Sequence, residues 1–98
     1  MTAPTIEAYE ANLKNIEKEI EANLKMKESY KNQIQDAEDD IQDLKDDGAD
    51  RKEIRAARKN LDKIYKLKDA NSQKYYWLRS EKQNCERSIA FLKKQGAK

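Results

Sequence analysis

Histidine is absent from the chain. With it go imidazole-bearing zinc sites and the serine or cysteine nucleophiles that need an imidazole base. Cys85 is the only cysteine, so no internal disulfide framework exists and a reducing, cytoplasmic compartment is expected. No apolar run approaches the ~20 residues of a membrane span, and no membrane partner is expected. The opening MTAPTIEAYE has neither the basic start nor the apolar stretch of a secretory signal.

Two further absences concern chemistry. Carboxylates abound, but they fall on solvated helix faces. The stretch DLKDDGAD imitates a calcium loop only in part. With Gly48 as the sixth loop residue, Asp43 and Asp47 fit the first and fifth positions. Lys45 and Ile54 then occupy the third and twelfth, where ligands are required. No enzymatic activity, metal or cofactor is expected.

Helix breakers are as scarce as histidine. Pro4, Gly48 and Gly96 are the only prolines and glycines in 98 residues. Charged residues make up 41% and apolar ones 37%, a balance shared by disordered chains and long amphipathic helices. Periodicity decides between them. Ile6, Tyr9, Leu13, Ile16, Ile20, Tyr30, Ile34, Ala37, Ile41 and Leu44 follow alternating steps of three and four, interrupted only at Asn23 and Lys27. A second ladder runs Ile54, Ala57, Leu61, Ile64, Tyr75, Leu78, Cys85, Ile89, Leu92, with Lys68, Asn71 and Lys82 as its polar members. Such spacing keeps one narrow stripe facing a partner helix. The fold class is therefore all-α: two long antiparallel helices, about residues 4–46 and 50–95, in one coiled-coil hairpin domain spanning 1–98.

The boundaries carry their own signals. Pro4 suits a first helical turn, and Gly48 a helix end that needs a left-handed residue. Asp50 opens Asp-Arg-Lys-Glu, in which Asp50 caps the second helix and Glu53 reaches back. Folding about Gly48 pairs residues whose numbers sum to about 98, as in Ile34 with Ile64 or Ile20 with Leu78. The poor helix formers at Asp69–Ser72 offer the alternative. A break there gives a three-helix bundle.

Charge is divided between the halves. Residues 1–49 hold six lysines and thirteen acids, net −7, and residues 50–98 hold fifteen bases and six acids, net +9. In an antiparallel hairpin Asp36, Glu38, Asp39, Asp40, Asp43, Asp46 and Asp47 are expected to face Arg51, Lys52, Arg55, Arg58 and Lys59. Exposed pairs of this kind stabilise little, but they penalise pairing of the first helix with itself. Asp39, Asp40, Asp43, Asp46, Arg51, Arg55 and Arg58 form a charged tip available to a partner.

Off the stripe, Ala70, Trp77 and Phe91 share one heptad position, with Tyr76 adjacent, and Ala8 and Ala22 hold the matching position on the first helix. Large rings on an outer face mark a protein interface, so homo-oligomerisation into a four-helix bundle is expected. A second feature lies mid-stripe, where Asn23, Lys27, Tyr30, Lys68, Asn71 and Tyr75 make a polar layer. Polar core residues fix register and oligomer state in coiled coils. The alternative is a nucleotide or small-anion site, with lysines for phosphate and tyrosines for stacking.

The functional class that follows is a non-enzymatic interaction module, partnered by itself and by another protein. Small hairpins of this kind act as adaptors, assembly factors or phage-type viral inhibitors of host proteins. The rival classes are nucleic-acid binding through the basic second helix and anion sequestration through the polar layer.

Overall fold

The computed structural model describes residues 5–96. Two α-helices make up nearly all of it: α1, Ile6–Asp46, and α2, Arg51–Lys94. Both follow from the sequence pattern, and each end has an identifiable cause. Thr5 caps α1, its Oγ1 accepting a bond from the Ala8 N–H at 3.1 Å. The expected proline at the first turn, Pro4, lies outside the described residues. At the other end Gly48 takes φ +73°. Its N–H donates to the Lys45 carbonyl at 3.2 Å, and that of Ala49 to the Leu44 carbonyl at 2.9 Å. This pair of bonds is a Schellman closure, which satisfies carbonyls the helix end leaves open. Asp50 Oδ1 then accepts the Glu53 N–H at 3.0 Å and starts α2.

α2 runs without interruption through Asp69–Ser72, so the three-helix alternative does not hold. The poor helix propensity there amounts to a few tenths of a kcal/mol per residue. Docking of the apolar stripe outweighs it, with Ile64 and Leu78 buried on either side.

The chain divides into two compact units, and each contains a stretch of both helices. One comprises residues up to Leu24 together with those from Lys74 onward, and the other is Lys25–Gln73. In the first, Ile16, Leu78 and Cys85 form a buried cluster, with Tyr9, Leu13 and Ile20 packed against it. Leu78 has no exposed surface at all. Asn12 Nδ2 donates to Cys85 Sγ at 3.3 Å, a pairing whose numbers sum close to the expected 98. In the second unit the buried residues are Ala37, Ile41 and Ile64. Every apolar member of both ladders is buried or half-buried, and Lys27 is the one stripe position left exposed.

Candidate functional site

Large apolar side chains stand in water on the first unit. Trp77 is 59% exposed, Phe91 58% and Tyr76 67%. Trp77 and Phe91 lie two residues beyond Tyr75 and Ile89, stripe members two heptads apart, so one outer line of α2 carries both rings. Ala8 and Ala22 occupy the equivalent line of α1, fourteen residues apart like the two rings, and both are exposed. On the register fixed by Asn12 and Cys85, Ala8 is level with the Phe91 turn and Ala22 with the Trp77 turn. The unit therefore offers two projecting rings and two shallow positions at the same spacing, about 21 Å at the helical rise. Tyr76 points differently. Its ring meets that of Tyr75 edge-on, with centroids 5.8 Å apart and planes at 62°, while the Arg79 guanidinium lies 5.9 Å from the Tyr75 centroid. Ala70 belongs to the second unit.

The polar layer is distributed over both units. Asn23 and Tyr75 fall in the first, and Lys27, Tyr30, Lys68 and Asn71 in the second. Asn23 is buried at 6% exposure, and both Asn23 and Asn71 have interaction partners. Among the described residues no buried side-chain nitrogen or oxygen lacks a hydrogen bond. Lys27 and Lys68 do meet in one place, a groove of about 540 Å³ in the second unit, shared with Glu28, Lys31, Ile34, Gln35, Glu38 and Tyr65. Tyr65 is fixed there on two sides. Its hydroxyl donates to Glu38 Oε1 at 3.2 Å, and Lys68 Nζ lies 5.9 Å from its ring centroid. The bond to Glu38, then partial removal from water, then the Glu38 charge raise the Tyr65 hydroxyl above its ordinary pKa of 10.0.

Lys31, Glu38 and Tyr65 line this groove, and the apolar ladder does not single them out. Each directly follows a stripe residue (Tyr30, Ala37 and Ile64), the position that flanks the seam. That offset is the signal by which sequence reasoning finds them.

At the tip the charges are arranged differently from expectation. Asp40, Asp43 and Asp47 are level with Arg58, Arg55 and Arg51, but the two sets line separate grooves. Asp40, Asp43 and Asp47 line one groove with Ala37, Leu44, Ala57 and Asn60. Arg51, Arg55 and Arg58 line another with Lys45 and Ile54. The first groove carries three acids and no base, the second four bases and no acid. Helical phase explains the sorting. Asp40 and Asn60 each precede a stripe residue, Ile41 and Leu61, whereas Lys45 and Arg58 each follow one, Leu44 and Ala57. In an antiparallel pair the preceding positions of both helices share one flank and the following positions share the other.

Asp39 and Asp46 lie on the outer face of α1. They accept bonds from Gln35 at 3.0 Å and Gln42 at 2.9 Å on their own helix. Among the described residues no group of three or more potential metal ligands occurs, and no helix is long and apolar enough to cross a membrane.

Compared with known proteins, the chain matches no family model, no curated protein and no solved structure. Its function has to be read from its own surfaces.

Proposed function

We propose that the protein is a non-enzymatic interaction module, a helical hairpin that self-associates through the ring-bearing face and acts as an adaptor, assembly factor or inhibitor. The observation that carries the reading is the exposure of Trp77 and Phe91 opposite Ala8 and Ala22. Burial of each ring contributes roughly 1.5–3 kcal/mol, and alanines allow helices to approach closely. A second copy fits because the rings and the alanines have equal spacing. A two-fold axis then lays each ring of one copy over an alanine of the other, the self-complementarity that a closed dimer requires. Four helices meet in such a dimer.

Light scattering at micromolar concentration tests this. The wild type is expected as a dimer or higher oligomer, and Trp77→Glu with Phe91→Glu as a monomer that remains helical. A monomeric wild type, or an oligomer indifferent to both substitutions, refutes the reading.

The groove of Lys27, Lys31, Lys68 and Tyr65 supports a second reading, binding of a small phosphate-bearing anion. Three ammonium groups and an exposed ring edge fit such a ligand, although Glu28 and Glu38 offset two of the charges. Thermal stabilisation by millimolar ATP or pyrophosphate, lost in Lys27→Gln with Lys31→Gln, is the outcome that reading requires.

A further inference from the structure

We infer that the two charged grooves at the tip are complementary halves of one lateral interface, the acidic flank of each copy docking the basic flank of a neighbour held in the same orientation. This rests on the reading of the tip as a docking surface and names its occupant as a second copy. It does not depend on the ring-bearing face.

The first argument is local cost. Asp40, Asp43 and Asp47 crowd the carboxyl end of α1, and Arg51, Arg55 and Arg58 the amino end of α2. Those nearest the ends, Asp43, Asp47 and Arg51, oppose the helix dipoles, which favour cations at a carboxyl end and anions at an amino end. Lys45 in the last turn of α1 and Glu53 in the first turn of α2 offset part of this, but the acidic and basic sets themselves line separate grooves. The bonds that neighbouring acids do make go to the neutral donors Gln35, Gln42 and Tyr65. Charges that weaken their own helices and leave each other unneutralised call for partners outside the chain.

The second argument is geometric. The acids Asp40, Asp43 and Asp47 are separated by steps of three and four. Read in reverse, Arg58, Arg55 and Arg51 are separated by three and four as well. α1 of one copy and α2 of a neighbour standing in the same orientation run antiparallel, so the reversed reading is the one that applies. The level is also correct without sliding. Folding about Gly48 already sets Arg58 level with Asp40, Arg55 with Asp43 and Arg51 with Asp47. A neighbour in the same orientation presents those three bases at the heights of the three acids. Each row covers about 10 Å at the helical rise, and each groove has an apolar floor, Ala37, Leu44 and Ala57 on one side and Ile54 on the other.

Orientation is dictated by sign. Two copies related by a two-fold axis through a tip flank would set acid against acid or base against base. The interface is therefore heterologous, and each added copy leaves one acidic and one basic flank free. Such a contact propagates until a ring closes or a filament forms. Exposed ion pairs are individually weak and screened by salt, so the association is expected at low ionic strength and reversible.

The test uses charge swaps in the full chain. One variant carries Asp40→Lys with Asp47→Lys, and another Arg51→Glu with Arg58→Glu. Asp47→Lys and Arg51→Glu suit the neighbouring helix ends, all four positions are exposed, and circular dichroism checks that the fold is retained. Two control variants shift the same charges one position, onto outer faces: Asp39→Lys with Asp46→Lys, and Lys52→Glu with Lys59→Glu. All are built on Trp77→Glu with Phe91→Glu as well as on the wild type, which separates this contact from the ring-bearing one. Sedimentation at low salt is expected to show self-association of the parent, weakened roughly tenfold or more in high salt. Each groove variant alone loses it, and an equimolar mixture of the two regains it. The outer-face variants keep the parent's behaviour, and mixing them adds nothing.

Groove and outer-face variants behaving alike would show an effect of net charge only and overturn the inference. So would folded groove variants whose mixture fails to associate, or a parent with no association at low salt. Failure of the ring-bearing contact is read separately, from the high-salt mass of the wild type.

Discussion

The two units are built from the same pair of helices and hold together differently. The unit at the chain termini has a core of large side chains, with Leu78 wholly enclosed by Ile16, Cys85 and their neighbours. The tip unit buries fewer groups, Ala37, Ile41 and Ile64, and has the Schellman closure and the Asp50 cap at its turn. The outer surfaces diverge too, Tyr76, Trp77 and Phe91 on one and sorted charge on the other. One heptad stripe therefore specifies the pairing of the helices, and the residues beside the stripe set the surface that each stretch presents.

Removing the core should expose the contrast most strongly. Leu78→Ala is expected to cost about 2–5 kcal/mol, read as a lower midpoint in urea denaturation. Ala37→Gly in the tip seam should cost about 1 kcal/mol, mostly through helix propensity. Equal losses would mean that the two units do not differ in how they are held.

The turn comes next. Gly48→Ala meets no atom within 4 Å, but it forces an L side chain to φ +73°. The expected cost is about 1–2 kcal/mol, and Gly48→Asn should cost less because asparagine tolerates that region. Asp50→Ala, which removes the cap, should cost about 1 kcal/mol. A neutral result at both positions would show that the seam alone holds the tip.

The smallest effect is one of pH. Because the Tyr65 hydroxyl is raised in the fold, its contribution to stability is complete below the ordinary tyrosine pKa. It is lost as pH rises through the higher folded value. Ultraviolet titration should show one tyrosine ionising late, a component that disappears in Tyr65→Phe and moves back toward 10.0 in Glu38→Gln. A late component surviving Glu38→Gln would assign the shift to another cause.

Much of this architecture is legible in the sequence because burial in a two-helix pair has a period of 3.5, and few other arrangements impose it. The stripe, the turn at Gly48 and the cap at Asp50 were all readable. The cap at Thr5 is obscured by Pro4 one residue earlier. Continuity through Asp69–Ser72 depends on packing, which local propensity does not contain. The tip misleads for a subtler reason. Charge content tells that acids and bases are level, but which flank each occupies depends on a single residue of phase before or after the stripe. The exposure of Trp77 and Phe91 follows from the same phase rule and was legible.

Trp77 is the only tryptophan in the chain, so its fluorescence reports directly on the face through which copies are proposed to meet. In high salt, where contacts between charged flanks are screened, emission should shift to the blue as concentration rises through the micromolar range. The shift should follow the increase in mass measured on the same samples. Emission that stays at the wavelength of a water-exposed indole while the mass doubles would place the interface elsewhere, and a mass that never exceeds one chain would contradict self-association altogether.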